Sequence, residues 1–426
     1  MRQALDDIRV LDLADAMGGY CTKLLADLGA DVVKIEKPEG DPMRREPPFL
    51  RSAPDGGTSL YWWYFNTNKR SVTLNLESAD GRDMFLGLVK SADVLVETLP
   101  PAASIRLGVD YPTLRKVNSH LILTSITGFG LTGPYRDFRI SDIVGQAMGG
   151  LMNITGLPHR PPCATGASQA YYMASMDGVV GTLLALCHRD ATGQGQMVDV
   201  AMQGAVLKTV SASTVGYLVS RKVLKRTGLE YFRGVRDYFP CKDGYAMCSA
   251  LGGSGADVML DWMDSEGMAA DLREERYAEV LAAMGSRRRM KKGFGKVAYV
   301  DPRRLGLYTH EIAHIQDVWA AWLKTHTREE LFAGAQKRGV RLMPVYTAED
   351  VAHEPQLIHR GFFTEVEHPE LGAAFKCPGP PYRLAKTPCT MRRRPPLAGE
   401  HNLEIYQEEM GIPTRRLSWL KQRGVV

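Results

Sequence analysis

Short segments in which hydrophobic residues alternate with polar ones recur along the first part of the chain, separated by helical patterns. Ile8 to Leu13 is one such segment, and Asp31 to Glu36 follows after a helical pattern that stops at Gly29. The predicted strands are 8–13, 31–36, 71–76, 92–97 and 121–126, and the predicted helices between them are 22–29 and 78–91. Repeated strand–helix units of this kind predict a parallel sheet covered by helices, with functional residues at the carboxyl ends of the strands.

The regular alternation loosens after Gln203, and a basic, turn-rich stretch follows. A new strand–turn unit, Asp243 to Ala250, and a helical pattern, Arg328 to Arg338, predict a second α/β domain. The tail from Glu349 is rich in Pro and Gly and ends with a predicted short helix, Asn402 to Met410. The predicted segments are 1–205, a linker at 206–238, a small domain at 239–340, and 341–426.

Composition places the 426-residue chain among globular proteins, because 44% of its residues are hydrophobic and 24% are charged. The longest apolar runs, such as Val179 to Leu186, are shorter than the ~20 residues that span a bilayer. Acidic residues near the N-terminus argue against a signal peptide, and seven cysteines without a CxxC pair are typical of reduced thiols. We therefore expect a cytoplasmic protein that contacts no membrane.

Two basic runs, Arg287 to Lys292 and Arg392 to Arg394, bear on nucleic-acid binding. Each borders a Gly or Pro turn and lacks interleaved aromatic residues, so solvated loops are the preferred interpretation. The net charge of +5 is mild for this length. No nucleic-acid partner is expected.

Three local motifs suggest chemistry without establishing it. Gly128, Gly130 and Gly133 match G-x-G-x-x-G, but Pro134 and Tyr135 follow, so a loop is predicted instead of the helix that a dinucleotide site needs. His310 and His314 match H-E-x-x-H without its usual continuation, and we predict no metal site there. The predicted loop containing Gly252, Gly253 and Gly255 suits a ligand contact, a lid or a plain turn.

Several segments, in the same order, resemble the family III CoA-transferases. They are LDLADAMGGYCTKLLADLGADVVKIEKPEGDPMR, FNTNKRSVTLNL, ADVLVETLPPAASIRLGVDY, SITGFGLTGPYRD and ATGQGQMVDVAMQGAV. HRGFFTEVEHPELG and AGEHNLEIYQEEMG extend the resemblance over nearly the whole chain. It implies an α/β fold in which a large Rossmann-like domain is built from both ends of the chain and a smaller α/β domain is inserted between them. It also implies an interlocked dimer.

The resemblance further implies that CoA and acyl-CoA are substrates and that no cofactor is permanently bound. The residues it implies for CoA binding are Met17, Lys69, Arg70, Thr98, Arg106 and Met202. The cations among them suit phosphates, although surface salt bridges are the alternative explanation.

The resemblance also assigns the chemistry to an aspartate at the start of a helix. In the family that aspartate attacks an acyl-CoA thioester, giving a mixed anhydride and then an aspartyl-CoA thioester. Counting back ten residues from Gly181, and forward from Pro161, both place Tyr171 at its position. A phenol does not replace a carboxylate in this reaction. Asp177 lies more than one and a half helical turns beyond Tyr171, so we expect it on a different side of the helix.

The replacement of the aspartate by Tyr171 predicts a non-catalytic subunit of a heteromeric CoA-transferase. Its partner would be a homologous chain that carries the aspartate, and the substrates would be succinyl-CoA and a carboxylic acid, by resemblance an aromatic succinate such as benzylsuccinate. The alternatives are a stand-alone acyl-CoA transferase or isomerase with another catalytic group, and an acyl-CoA-binding regulatory protein. A zinc hydrolase through His310 and His314 conflicts with the resemblance.

Overall fold

A computed structural model describes residues 2–50, 58–226, 228, 230–232, 235–236, 238–248, 254–284 and 308–426. The chain forms two compact units. The first unit comprises Met1–Met152, Ala164–Leu224 and Pro355–Val426, and the second comprises Asn153–Cys163 and Lys225–Glu354.

The described strands form one parallel sheet and three antiparallel ones. In chain order they are β1 (Arg9–Leu13), β2 (Asp31–Glu36), β3 (Arg70–Thr73), β4 (Val94–Glu97), β5 (Ile122–Thr127), β6 (Met197–Ala201), β7 (Glu230–Phe232), β8 (Val235–Arg236), β9 (Tyr238–Cys241), β10 (Gly244–Cys248), β11 (Leu342–Pro344), β12 (Phe363–His368) and β13 (Ala373–Pro378). Strands β1 to β6 form a parallel sheet in the order β3-β2-β1-β4-β5-β6.

The described helices are distributed over both units. They are α1 (Gly19–Asp27), α2 (Leu60–Asn66), α3 (Ala79–Val89), α4 (Pro101–Leu107), α5 (Tyr111–Leu114), α6 (Asp142–Met148), α7 (Leu151–Ile154), α8 (Gln169–Thr192), α9 (Met202–Thr209), α10 (Ser211–Ser220), α11 (Ser254–Ser265), α12 (Glu275–Met284), α13 (Thr309–Leu323), α14 (Arg328–Arg338), α15 (Ala348–Ala352), α16 (Pro355–His359) and α17 (Thr414–Gln422). A π-helix, Leu403–Glu409, precedes α17.

Both faces of the parallel sheet are buried, because neighbouring residues of each strand point to opposite sides. On one side Val10 and Ile122 belong to a core that contains residues of α1 and α8. On the other side Leu11 and Leu123 belong to a core that contains residues of α3 and α17. The C-terminal segment is therefore part of the same unit as the N-terminal strands.

The longest helix, α8, packs closely on the sheet. A Cβ atom at Gly178 would lie 2.7 Å from Cδ1 of Ile126 on β5, so glycine permits this approach. Among the described residues α8 is the one helix long and apolar enough to cross a membrane by length and composition. Its contacts with the sheet are those of a core helix, and such helices pass the same test.

The second unit contains an antiparallel sheet, β11-β10-β9. Its core includes Phe239 and the fully buried Trp319 and Trp322. The cap of α14 explains why that helix begins where the sequence predicts. Thr327 Oγ1 accepts from the backbone of Glu330, whose carboxylate accepts from the backbone of Thr327.

The prediction of an α/β fold with a parallel sheet is confirmed. Local bounds differ: the strand predicted at 71–76 ends at Thr73, and α10 lies inside the stretch predicted as a linker. Gly252, Gly253 and the basic run at 287–292 lie outside the described residues. The interlocked dimer stays a prediction.

Candidate active-site crevice

A crevice is expected where the strand order of the parallel sheet reverses, which is between β1 and β4. Asp15 follows β1 and Thr98 follows β4, and the backbone N–H of Asp15 donates to Oγ1 of Thr98 at 2.9 Å. We call the residues that meet here, Asp15, Met17, Thr98 and Tyr171, the switch-point crevice. Ligands of open α/β sheets bind at such positions.

Helix α8 is joined to this loop by its one serine, Ser175. Oγ of Ser175 donates to the carbonyl oxygen of Met17 at 2.7 Å. Ser175 lies four residues after Tyr171, so the two side chains share a face of α8. The face that carries Tyr171 is therefore turned toward the loop that contains Asp15 and Met17.

Close packing explains the glycine at position 18 of this loop. A Cβ atom at Gly18 would lie 2.7 Å from Cβ of Ala14 and 2.9 Å from Cγ2 of Thr98. Any larger residue would push apart the ends of β1 and β4. Gly18 therefore has a packing role at the crevice, whereas a Cβ atom at Gly19 would make only an ordinary contact, 3.5 Å from Cε of Met43.

The start of α8 has an unusual backbone and a cap from another helix. Ala167 (φ 63°) and Ser168 (φ 50°) are both left-handed, at a cost of about 1 kcal/mol or more each for residues other than glycine. Oδ1 of Asp142, on α6, accepts from the backbone N–H groups of Ala170 (2.7 Å) and Tyr171 (3.3 Å). Asp142 thus occupies the amides that a helix start otherwise offers to an anionic ligand.

Tyr171 occupies the position at which the sequence predicts the missing aspartate. Its side chain is half-buried, and burial raises the pKa of its phenol, with the charges of Asp15 and Asp142 acting in the same direction. The phenol is therefore protonated at neutral pH and is a poor nucleophile. Its neighbour Tyr172 packs against Tyr20, with ring centroids 4.9 Å apart.

Asp177, the other carboxylate considered on α8, forms an ion pair with Lys208 of α9. It lies six residues after Tyr171, which corresponds to a rotation of about 240° around the helix axis. Its partner on α9 accounts for its position without a catalytic role.

Asp15 is exposed and has no ion-pair partner within 4.0 Å among the described residues. The carboxylate accepts the backbone N–H of Met17 at 2.9 Å. The walls of the crevice displace enough water to raise the pKa of Asp15, although the side chain still reaches solvent. This residue was not predicted from the sequence.

Glu97 lies at the end of β4 and is buried. Burial raises its pKa to about 7, although Oγ of Ser125 and the backbone N–H of Leu99 both donate to its carboxylate. The charge of Asp15 acts in the same direction as burial. The floor of the crevice therefore carries a carboxyl group that titrates near neutral pH.

Lys69, which the resemblance implies for CoA binding, is fully buried. Its ammonium group donates to Oδ2 of Asp12 (2.9 Å), Oγ1 of Thr22 (2.8 Å) and Oδ1 of Asn66 (2.9 Å). All three of its N–H donors are thus in use. CoA binding by Lys69 stays a prediction that would require these bonds to break.

Arg70 and Arg106 differ in burial and in the number of carboxylates that they bind. The guanidinium of Arg70 is mostly buried and binds Asp31, Glu404 and Glu409. Arg106 binds only Glu77 among the described residues, at 2.9 Å, and both side chains are more than half exposed. Arg106 can therefore exchange its partner for a phosphate at little cost.

The remaining predicted positions are dispersed. Met17 and Met202 are buried, and Met202 packs where α9 begins, against Gly145 of α6. Gly255 lies in α11 of the second unit.

On α13, Nε2 of His314 lies 2.6 Å from Oδ1 of Asp271, and His310 is exposed. Within the described ranges, no group of three His, Cys, Asp or Glu side chains is arranged to hold a metal ion.

Three functional candidates were missed from sequence: Asp15, Glu97 and Asp142. Asp15 and Glu97 mark the carboxyl ends of β1 and β4, and that position was the available signal. Asp142 is the first residue of α6, and its role as the cap of another helix needs the tertiary structure.

Comparisons with known proteins agree with the fold and the resemblance. A family model described as CoA-transferase family III matches residues 5–402. The chain is 31% identical to the succinyl-CoA:(R)-benzylsuccinate CoA-transferase subunit BbsE of Thauera aromatica, covering 100% of this chain and 99% of that protein. It is 32% identical to a formyl-CoA:oxalate CoA-transferase of Streptomyces avermitilis, covering 100% of both.

A solved structure gives the same result at the level of the fold. A CaiB/BaiF family protein from Brucella suis superposes with a TM-score of 0.79 and 29% identity. The match covers 96% of this chain and 100% of that one.

Proposed function

The chain belongs to CoA-transferase family III, and we propose that it is the subunit of a heteromeric CoA-transferase that lacks the catalytic aspartate. The complex moves CoA from succinyl-CoA to an aromatic succinate such as benzylsuccinate. The observation that carries this proposal is Tyr171, because it faces the switch-point crevice from the start of α8.

The reaction explains why this replacement matters. A carboxylate oxygen attacks the thioester carbonyl and expels CoA thiolate, leaving a mixed anhydride. The thiolate then attacks the enzyme's acyl carbon and releases the donor acid, and the acceptor acid reverses both steps. A phenol held protonated by burial and by nearby carboxylates does not begin this sequence. The nucleophile is therefore assigned to the partner chain.

Exposed apolar residues support a homologous partner. Met176, Val180 and Leu184 recur every four residues along α8 and are 37%, 53% and 66% exposed. Helix α10 has no buried residue and exposes Val215, Leu218 and Val219. Apolar surfaces of this kind are typical of protein interfaces, and a chain of the same fold is the partner we propose for them.

CoA contact by this chain is part of the proposal and depends chiefly on Arg106, whose cation is exposed. Contacts from Met17, Lys69, Arg70, Thr98 and Met202 remain predictions. The cytoplasmic location expected from the sequence is also part of the proposal.

The test is co-expression of this chain with an aspartate-bearing homologue, followed by purification of the complex. CoA transfer from succinyl-CoA to benzylsuccinate is then measured for each chain alone and for the pair. We expect a stable one-to-one complex whose activity disappears when the partner's aspartate is changed to alanine.

The matched variant in this chain is Tyr171→Phe, which keeps the ring and removes the hydroxyl. It is expected to leave the activity of the complex within about two-fold, because the hydroxyl takes no part in acyl transfer. Full activity of this chain alone would refute the proposal.

A further inference from the structure

Asp15 places a carboxylate in the switch-point crevice without an ion-pair partner within 4.0 Å among the described residues, and Lys34 attracts it only from farther away. The neighbouring buried charges balance, because Lys34 and Lys69 pair with Asp12 and Asp41. Asp15 has no such partner among the described residues and keeps its carboxylate in contact with solvent. An acyl group that enters the crevice therefore meets a negative charge.

The position of this charge is fixed by three contacts. The backbone N–H of Asp15 donates to Thr98, its carboxylate accepts from the backbone of Met17, and Met17 is held by Ser175 of α8. The carboxylate thus cannot swing far from the face of α8 that carries Tyr171. That face is where the proposed reaction takes place in an aspartate-bearing chain.

We propose that Asp15 determines specificity by excluding acyl groups that end in a carboxylate from this chain's own crevice. This inference rests on the proposed function, in which the chain does no acyl transfer itself. Succinyl-CoA carries such a carboxylate, and like charges brought together in a partly desolvated site repel. The donor is then directed to the partner's site, where it reacts.

Calorimetric titration of the full-length chain with two CoA thioesters tests this idea. Succinyl-CoA and butyryl-CoA have acyl chains of equal length and differ in the terminal carboxylate. We expect butyryl-CoA to bind about ten-fold more tightly, a typical effect of one unfavourable charge contact. In Asp15→Asn the preference should fall to about three-fold or less, mainly because succinyl-CoA binds more tightly.

Two further variants make the result specific. Asp15→Ser also keeps an oxygen that accepts from Met17, and should behave as Asp15→Asn does. Asp317→Asn removes an exposed acid from α13 and should leave the preference unchanged. Equal binding of the two thioesters, an unchanged preference in both Asp15 variants, or no binding of either thioester would overturn the inference.

A CoA-transfer assay of the isolated chain tests the proposed function independently of the titrations. CoA transfer by the isolated wild-type chain contradicts the supporting-subunit role whatever the titrations show. Loss of that transfer in Asp15→Asn would make Asp15 an acyl acceptor and would overturn both proposals.

Discussion

Asp12 and Asp15 lie three residues apart at the end of one strand, yet their surroundings are opposite. Asp12 is fully buried, with Lys69 at 2.9 Å and Lys34 at 3.7 Å. Burial alone would raise its pKa, but the two lysines outweigh burial and hold the pKa of Asp12 below its ordinary value. Asp15 is exposed, lacks an ion pair among the described residues and has a raised pKa.

The difference indicates that Asp12 has a structural role and that Asp15 is available for a functional one, within the same unit. The buried network joins β1 and β2 to the segment before β3, since Lys34 lies on β2 and Lys69 precedes β3. Asp15 takes no part in a buried ion-pair network of this kind, and its carboxylate remains available to a ligand that enters the crevice. A charge that the fold does not need is a candidate for function.

The largest effect is expected from Asp12→Asn, which leaves Lys69 and Lys34 buried with one carboxylate fewer. We expect a loss of about 3–5 kcal/mol in the free energy of unfolding, the usual cost of breaking a buried ion pair. Urea-induced unfolding measures it, with Asp7→Asn, an exposed aspartate, as the control. A loss as small as that of the control would mean that the network is not structural.

A smaller, pH-dependent effect is expected from Glu97→Gln. Glu97 in the folded chain has a pKa of about 7, above its ordinary value of 4.5. The stabilisation of the protonated form is complete below pH 4.5 and is lost as the pH rises through 7. The wild type should therefore lose roughly 2–3 kcal/mol relative to Glu97→Gln between pH 5 and pH 8. Unfolding measured across that range tests it.

The control for this prediction is Glu365→Gln, because Glu365 is exposed on β12. Its pH profile of stability should run parallel to that of the wild type. If the pH profile of Glu97→Gln is also parallel to that of the wild type, the pKa of Glu97 is close to its ordinary value. The floor of the crevice is then well hydrated.

The smallest effect is expected from Asp15→Asn, the same chemical change as in Asp12→Asn. Because Asp15 is exposed and has no ion pair among the described residues, its free energy of unfolding should change by less than about 0.5 kcal/mol. The two aspartate variants, compared in one unfolding experiment, measure the contrast directly. A loss in Asp15→Asn that matches Asp12→Asn would give both residues the same structural role.

Sequence patterns predicted the parallel sheet well because its strands alternate and its helices end at glycines such as Gly29. The same patterns did not predict the ion pairs of Lys69 and Arg70, because the partners of these residues are distant in sequence. Asp12 precedes Lys69 by 57 residues and Glu404 follows Arg70 by 334, so the pattern of the NTNKRS segment contains no sign of either pair.

The crevice was predicted in part, for a similar reason. Tyr171 was found by counting along the chain, because a helix and its glycine turn keep a fixed spacing. Asp15 was missed because its importance depends on the order of strands, which brings the ends of β1 and β4 together. Strand order is a tertiary property, and local periodicity does not encode it.

This chain shares the fold of the family III CoA-transferases, and we propose that it lacks their nucleophile. Intact-mass spectrometry of the purified complex, quenched after brief exposure to succinyl-CoA, tests this claim most directly. We expect the mass of a CoA or succinyl adduct to appear on the aspartate-bearing partner, and we expect this chain to stay unmodified. An adduct on this chain, mapped by peptide analysis to Asp15, Tyr171 or Asp177, would contradict the assignment of the nucleophile to the partner.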